Sequence, residues 1–262
     1  MNLHCIGDSH CAFFLGYDTI PGEYPVVENS LLQKIYCYRL GSALAFNCNK
    51  YGTTTKSKEK IETIITNLDP QNDMILFSFG EIDCRAHILK QCEIKNMGFE
   101  KIVEECISNY WQLITEVHQY GFKIVIWNAV YSANYEERNP NLQYPYFGTV
   151  QQRNTVTEFF NIQLKTKANK AGIIFLDIST FLIDTSSKLT IESYYFDAVH
   201  LNNRLFLTTI AKINGFFDAP IFSKKQIFAY KMKLWRINIY KDIAKLLAVG
   251  KKMLKRIYGQ KK

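Results

Sequence analysis

Apolar and polar positions alternate between two kinds of segment along this chain. Short apolar runs, rich in β-branched and aromatic residues, are separated by longer stretches with the period of about 3.6 residues that is typical of an amphipathic helix. Met74–Phe79 is apolar except for Ser78, as is typical of a strand covered on both faces. The short runs predict strands over Asn2–Ile6, Lys34–Leu40, Met74–Phe79, Lys123–Trp127 and Ile173–Leu176.

The longer stretches predict helices over about Lys58–Leu68, Phe99–Tyr120 and Thr149–Lys170, the last two followed by Gly121 and Gly172. Strands that alternate with helices favour a parallel sheet with helices on both faces, so we expect a three-layer α/β/α sandwich with about five parallel strands. Ligands of such sheets bind outside the carboxyl ends of the strands. Functional side chains are therefore expected directly after the strands.

The composition fits one folded domain. The chain has 262 residues, of which 47% are hydrophobic and 21% charged, so it can bury a substantial core and does not have a disordered composition. It contains no apolar run of membrane-spanning length and no signal-peptide pattern at its start. The seven cysteines are scattered without close pairs, which favours reduced thiols and a cytoplasmic protein.

Positive charge is concentrated in the last forty residues. Residues 223–262 contain thirteen Lys or Arg and one acid, Asp242, a net charge of +12. Since the whole chain carries +8, residues 1–222 carry −4. We therefore divide the chain into a main domain, 1–222, and a basic tail, 223–262.

The tail has the pattern of an amphipathic helix. Its lysines fall largely off the apolar stripe, and Trp235 and Tyr240 suit the interface of a membrane. One interpretation is contact with an anionic membrane surface, at the inner face of a membrane; the other is packing on the body or on a partner subunit. Nucleic acid is disfavoured because the body is acidic. The apolar stripe consists of Ile239, Ile243, Leu246, Leu247, Gly250, Leu254 and Ile257.

Three short motifs carry groups suited to chemistry. Gly7-Asp8-Ser9-His10 follows the first strand, Gly80-Glu81-Ile82-Asp83-Cys84-Arg85 follows the third, and Asp197-Ala198-Val199-His200 comes late in the chain. A serine hydroxyl becomes a nucleophile when a base takes its proton, and that base needs a carboxylate to orient it. These requirements predict Ser9 as nucleophile, His200 as base and Asp197 as the orienting acid.

At these residues the chain resembles the SGNH/GDSL hydrolase superfamily. GDS matches the first block of that family, Gly41 in RLGSALAF the second-block glycine, GEID the third block and DAVH the last. The resemblance implies a flavodoxin-like strand order and acyl-ester chemistry that needs no cofactor. It also implies an oxyanion hole formed by the backbone N–H groups of Ser9 and Gly41.

One position departs from the family pattern. Ile82 occupies the place of the third-block Asn, which donates to the oxyanion in the family. Loss of one such donor costs about 10²–10³ in rate. Arg85 and Asn128 are the candidate replacements, because both follow strands at the same edge of the sheet.

The other polar residues of these motifs are expected to contact substrate; they are Asp8, His10, Glu81, Asp83, Arg85 and His87. Other interpretations stay open, since Asp8 or Ser9 can cap a helix and Arg85 can form a structural salt bridge. A metal site using His10, Cys11, Cys84 and His87 is disfavoured, because the spacings of known zinc motifs are missing.

The combination of GDSH with GEIDCR resembles proteins encoded among bacterial surface-polysaccharide genes, and this resemblance implies a carbohydrate-linked acyl group. The aromatic stretch Tyr131–Phe147 suits either a sugar-binding lid or a plain surface loop. We therefore expect a serine esterase that removes an acyl group, such as acetyl, from a carbohydrate. The alternatives are a polysaccharide or glycolipid O-acyltransferase that uses the same triad, and a non-catalytic glycan-binding protein on a decayed hydrolase fold.

Overall fold

A computed structural model of the chain describes residues 1–134, 145–187 and 189–259. One six-stranded sheet forms its centre, with the strand order β2-β3-β1-β4-β5-β6. Five strands are parallel, and the short β2 pairs antiparallel with β3. The strands are β1 (Asn2–Gly7), β2 (Glu28–Asn29), β3 (Ile35–Arg39), β4 (Asp73–Ser78), β5 (Lys123–Trp127) and β6 (Ile174–Leu176).

Helices cover both faces of this sheet, so the expected three-layer α/β/α sandwich and the flavodoxin-like order of its parallel strands are confirmed. A 3₁₀ segment, Ser9–Leu15, follows β1, and a π-helical turn, Asp83–His87, follows β4. The α-helices are α1 (Ser57–Ile65), α2 (Ile88–Lys95), α3 (Phe99–Gln119), α4 (Val150–Lys170), α5 (Ser179–Leu182), α6 (Phe206–Gly215) and α7 (Lys224–Gly259).

The two faces of the sheet bury two separate hydrophobic cores. Alternate residues of a strand point to opposite faces, and β4, buried at every position, contributes to both. Phe77 packs on one side with Tyr110 of α3, while Leu76 packs on the other with Phe14 and with Phe206 of α6. This two-sided burial explains why the strand is apolar at nearly every position.

The predicted elements match the observed ones closely. Each predicted strand overlaps an observed one and ends within a residue or two of it, and Lys123–Trp127 agrees at both ends. The extra strand β2 was missed because two residues, Glu28 and Asn29, are too short to give an apolar run. All seven cysteines are free thiols in the described ranges; the compartment of the protein stays a prediction.

The expected C-terminal helical extension is present as α7, and its first turns pack on the body. Tyr230 is only 1% exposed, its ring lies 4.8 Å from that of Phe206, and its hydroxyl donates to the carbonyl of Gly16 at 2.8 Å. The described helices include none that is long and apolar enough to cross a bilayer. The division at residues 222 and 223 stays a prediction.

Gly7 is the point of closest approach between the two central strands. A Cβ atom at this position would lie 2.0 Å from the carbonyl oxygen of Ser78, which is its partner in the register of β1 and β4. Atoms of the backbone cannot move aside without opening the pairing of the strands. The glycine of the GDS motif is therefore required by strand packing as well as by the turn that follows it.

We predict that Gly7→Ala destabilises the fold by about 3 kcal/mol or more, because overpacking against backbone has no side chain to absorb it. Gly215→Ala is the matched control: nothing lies within 4 Å of a Cβ there, and this residue ends α6. The control should be neutral or stabilising by about 0.5–1 kcal/mol, since alanine is the better helix former. Urea unfolding of both variants tests this, and similar stabilities would contradict the prediction.

Candidate active site

The segment that carries Ser9 turns sharply out of the sheet. β1 ends at Gly7, and Asp8 caps the 3₁₀ segment that follows, its Oδ1 accepting from the N–H of His10 at 2.8 Å. A carboxylate that caps a helical turn in this way favours a short, fixed connection. Ser9 therefore begins the 3₁₀ segment directly beyond the carboxyl end of β1, where it is half-buried.

The Asp-x-x-His spacing is explained by a turn around one carboxylate. Asp197 Oδ1 accepts from the backbone N–H groups of Val199 at 2.8 Å and His200 at 2.6 Å. The N–H of Phe196 closes the turn by donating to the carbonyl of His200 at 3.0 Å. Oδ1 of Asp197 thus fixes the turn, and Oδ2 is left to contact the imidazole of His200.

Ser9, His200 and Asp197 form a connected triad. His200 Nε2 lies 2.8 Å from Ser9 Oγ, and His200 Nδ1 lies 2.8 Å from Asp197 Oδ2. With the proton on Nδ1, the ring donates to the carboxylate and accepts from the serine hydroxyl. Burial raises the pKa of Asp197, but hydrogen bonds from His200 and Val199 outweigh it and hold the pKa below its usual value. The acid is therefore ionised when it faces His200.

The predicted oxyanion donors are the backbone N–H groups of Ser9 and Gly41. The parallel register pairs Gly7 with Arg39, so Ser9 and Gly41 each come two residues after a paired strand end. Gly41 has φ +98°, a conformation that favours glycine. Within residues 1–134, 145–187 and 189–259, the N–H groups of Ser9 and Gly41 donate to no protein acceptor. Both N–H groups are thus uncommitted among the described residues, and the oxyanion hole stays a prediction.

The structure gives Asn128 a different role from the expected oxyanion donor. Its side-chain N–H donates to the carbonyl of Ala129 at 3.0 Å, and its Oδ1 accepts from the N–H of Ile178 at 3.0 Å. These bonds connect the loops that follow β5 and β6. Because the amide oxygen and one amide N–H bond to the backbone, Asn128 braces the sheet edge beside the site.

Arg85 belongs to a buried charge network beneath the triad. Its Nε donates to Glu81 Oε1 at 2.6 Å, and Glu81 Oε2 lies 3.1 Å from His10 Nε2, near enough for an ion pair but without the angle of a hydrogen bond. The His10 ring packs against His200, with 5.0 Å between centroids. All three network residues are at most 5% exposed. We call His10, Glu81 and Arg85 the buried network. It meets His200 through the ring of His10.

Burial and charge set the protonation of this network. Burial raises the pKa of Glu81, but the charges of Arg85 and His10 outweigh it and lower the pKa to about 2. Burial lowers the pKa of His10, although Glu81 opposes this. Burial also raises the pKa of the neighbouring Asp8 well above its usual value. The site thus keeps Glu81 ionised while burial favours neutral forms of His10 and Asp8.

These contacts correct the expectation that the motif residues line the substrate. Asp8, His10, Glu81 and Arg85 are buried and contact one another or the backbone. Since their polar atoms face the protein, we assign these four residues to positioning the site.

Asp83 and His87 lie further away and hold the second-block loop. Asp83 accepts from the N–H groups of Ala45 at 2.7 Å and Phe46 at 3.1 Å, and the His87 ring packs 4.7 Å from that of Phe46. Asp83 therefore fixes the loop that contains Gly41 to the turn after β4. The expected substrate contact is replaced by this bracing role.

The residues considered for a metal do not converge. His10 faces Glu81, His87 faces Phe46, and Cys11 and Cys84 belong to cores on opposite sides of the sheet. In the described ranges no three His, Cys, Asp or Glu side chains are grouped as metal ligands.

Two aromatic residues of the site were not singled out from the sequence. Phe196 is half-buried and lies nearly parallel to His200, with 5.8 Å between centroids and 19° between planes. Tyr146 is buried between Arg85 and Arg153, and its hydroxyl donates to the carbonyl of Ala198 inside the catalytic turn. Phe196 could have been found because it directly precedes the DAVH motif, and Tyr146 because it belongs to the aromatic stretch Tyr131–Phe147. Residues 135–144 of that stretch, where the lid was expected, lie outside the described residues.

The sequence profile of the GDSL-like lipase/acylhydrolase family matches residues 4–204. The chain belongs to this family. The match includes Ser9, the buried network and the Asp197–His200 turn, and it ends before α7. A comparison with curated proteins gave no match.

Solved structures similar to this GDSL-family chain have low sequence identity to it. A Streptococcus pneumoniae protein provisionally assigned as a platelet activating factor is 16% identical, with 81% of this chain and 83% of that chain covered and a TM-score of 0.50. A candidate acylhydrolase from Bacteroides fragilis is 12% identical, covering 81% and 87%, with a TM-score of 0.49. An acetyl-xylooligosaccharide esterase from a Geobacillus species is 15% identical, covering 80% and 92%, with a TM-score of 0.48.

We predict that Glu81→Gln destabilises this GDSL-family protein by about 3–5 kcal/mol at neutral pH, because it removes the buried carboxylate charge to which Arg85 Nε donates at 2.6 Å. The pKa of Glu81 is about 2 in the fold, against about 4.3 in an unfolded chain. Its stabilising contribution is thus present above the unfolded value and is lost as pH falls toward the folded one. The gap in unfolding free energy between wild type and variant should narrow on acidification.

Urea unfolding at several pH values measures this gap. Glu105→Gln is the control, because Glu105 meets Lys95 at 2.7 Å on the surface and such pairs contribute at most about 1 kcal/mol. Equal losses in the two variants would refute a special role for the buried carboxylate.

Proposed function

We propose that this protein is a serine esterase that cleaves an acyl ester of a carbohydrate, with acetyl as the acyl group. The observation that carries the proposal is the position of His200, within 2.8 Å of both Ser9 Oγ and Asp197 Oδ2. Membership of the GDSL-like lipase/acylhydrolase family supports ester chemistry. The reaction needs no cofactor, because the chain supplies nucleophile, base and oxyanion donors.

The proposed reaction has two steps. Ser9 Oγ attacks the ester carbonyl while His200 Nε2 takes its proton, and the N–H groups of Ser9 and Gly41 hold the oxyanion. The ester C–O bond then breaks, and His200 returns the proton to the departing sugar oxygen, which becomes a hydroxyl. Water attacks the acyl-serine in the same way and releases the carboxylic acid. Asp197 keeps its charge throughout and stabilises the imidazolium.

Phe196 supports a sugar-linked substrate. It is the described aromatic ring stacked over the base, and it is half-buried, so part of its surface is open to solvent. The apolar face of a sugar ring can pack on an aromatic ring while its hydroxyl groups stay hydrated. A sugar bound there would lie beside His200, where an acyl group on one hydroxyl can reach Ser9.

We predict that a fluorophosphonate labels the wild-type protein at one site and that Ser9→Ala abolishes the label. Hydrolysis of p-nitrophenyl acetate should fall about 10³-fold or more in Ser9→Ala and His200→Ala, since either change removes an essential part of the unit. The double variant should be no slower than the single ones, because the two residues act together.

Ser193→Ala is the matched control for this prediction. Ser193 is exposed, and its backbone carbonyl, which accepts from Asn202 at 2.8 Å, is kept in the variant. The control should label and turn over like the wild type. A folded wild type that neither labels nor hydrolyses would reject the esterase proposal.

We predict that Phe196→Leu raises KM for glucose pentaacetate about three- to tenfold, equal to about 0.5–1.5 kcal/mol for a ring contact. Leucine keeps apolar support beside His200, so kcat should change less than KM. KM for ethyl acetate, which has no ring, should stay within about twofold. An equal change in KM for both esters would show that Phe196 does not select sugars.

Ile82 favours a second candidate function, a glycan-binding protein without turnover. Its side chain is buried, lies in the helical turn after Gly80 and offers no donor to an oxyanion. Glycan binding that survives Ser9→Ala, with no labelling of the wild type, would favour this candidate. An acyltransferase, by contrast, would label at Ser9 but release free acetate more slowly when an acceptor glycan is supplied.

A further inference from the structure

The two sides of α7 present different surfaces. Tyr230 and Leu234 pack on the second core of the body, and the Tyr230 hydroxyl is held by the carbonyl of Gly16. These contacts fix how the helix is rotated about its own axis. The residues on its opposite side are therefore held facing away from the body.

That opposite side carries an exposed apolar row. Phe228 is 65% exposed, Trp235 57% and Leu246 72%. Successive members follow at steps of three or four residues, so they fall within an arc of about 80° on a helix of 3.6 residues per turn. The outer stripe, as we call it, consists of Phe228, Met232, Trp235, Ile239, Ile243 and Leu246, of which Ile239 is half-buried and the others are exposed.

Exposed basic residues border the outer stripe on both sides. By helical position, Lys224 and Lys231 lie along one border, and Lys225 and Arg236 along the other. Asp242 is the single acid in residues 223–262, whose net charge is +12. An apolar centre with cationic borders is complementary to a surface in which an apolar layer lies beneath negatively charged groups.

We propose that the outer stripe of α7 docks on an anionic lipid surface, with the helix lying in the plane of that surface. The apolar side chains would enter the boundary of the acyl chains, and the flanking lysine and arginine residues would meet lipid phosphates. This attachment goes beyond the proposed esterase function and does not depend on it.

Charge distinguishes a lipid surface from a second copy of the chain. Pairing two outer stripes would bring two tails of net charge +12 together, and like charges at close range oppose association. An anionic bilayer removes that repulsion and attracts each basic residue. The charge pattern therefore favours lipid over self-association.

The test is flotation of the full chain with two kinds of vesicle. We expect it to float with vesicles that contain phosphatidylglycerol but not with pure phosphatidylcholine, and to be released by high salt. Phe228→Ser with Trp235→Ser should weaken binding about tenfold or more. Lys231→Gln and Arg236→Gln should each weaken it about fivefold, equal to about 1 kcal/mol.

Ile162→Ser is the matched control, since Ile162 is an exposed apolar residue on α4. It should float like the wild type. Unchanged thermal unfolding and unchanged fluorophosphonate labelling would show that the α7 variants are folded.

Three results would overturn the proposal: no flotation with anionic vesicles, equal flotation with neutral ones, or unaltered flotation of the double serine variant. Light scattering adds a fourth. A dimer that the double serine variant dissociates, in a protein that does not float, would identify a second copy as the occupant.

Discussion

The contact between β1 and β4 at Gly7 sets the geometry on which the site depends. The carbonyl of Ser78 leaves no space for a side chain at Gly7, so the two central strands end level with each other. Ser9 follows two residues after one strand end, and Glu81 follows three residues after the other. The GDSH and GEIDCR motifs are therefore neighbours by register, and Glu81 lies close to the residues that surround Ser9.

The position of Glu81 places an ionised carboxylate in the protein interior. A buried carboxylate is costly unless it is paired, and Glu81 is paired with Arg85 on one side and faces the ring of His10 on the other. The guanidinium of Arg85 also faces the ring of Tyr146, whose hydroxyl holds the carbonyl of Ala198. This chain of contacts reaches the Asp197–His200 turn twice. His10 packs on the ring of His200, and Tyr146 bonds to the backbone carbonyl of Ala198. Pairing one buried charge thus also restrains the base of the triad.

Sequence patterns predicted the fold well because two-sided burial has a strong signal. The run at Met74–Phe79 and the helical periods left little choice of class. The strand β2 gave no such signal, since it depends on pairing with β3 and not on burial.

The position of Asp197 and His200 could be predicted from the spacing Asp-x-x-His, because one carboxylate can both form the turn and orient the ring. The roles of Glu81 and Arg85 could not be derived in this way. Charged side chains are usually exposed, and only the register of β1 and β4 shows that these two are buried together.

The tail illustrates how composition and packing can divide a chain differently. Net charge changes sign near residue 223, which suggests a separate segment. The hydrophobic core does not end there, because Tyr230 fills a place between Phe206 and Gly16. Gly16 also ends the 3₁₀ segment that begins with Ser9. The inner side of α7 therefore stabilises the segment that begins with Ser9, and because that side is packed on the body it is not open to a partner. Any partner of the helix has to use the outer side, where apolar and basic residues are combined.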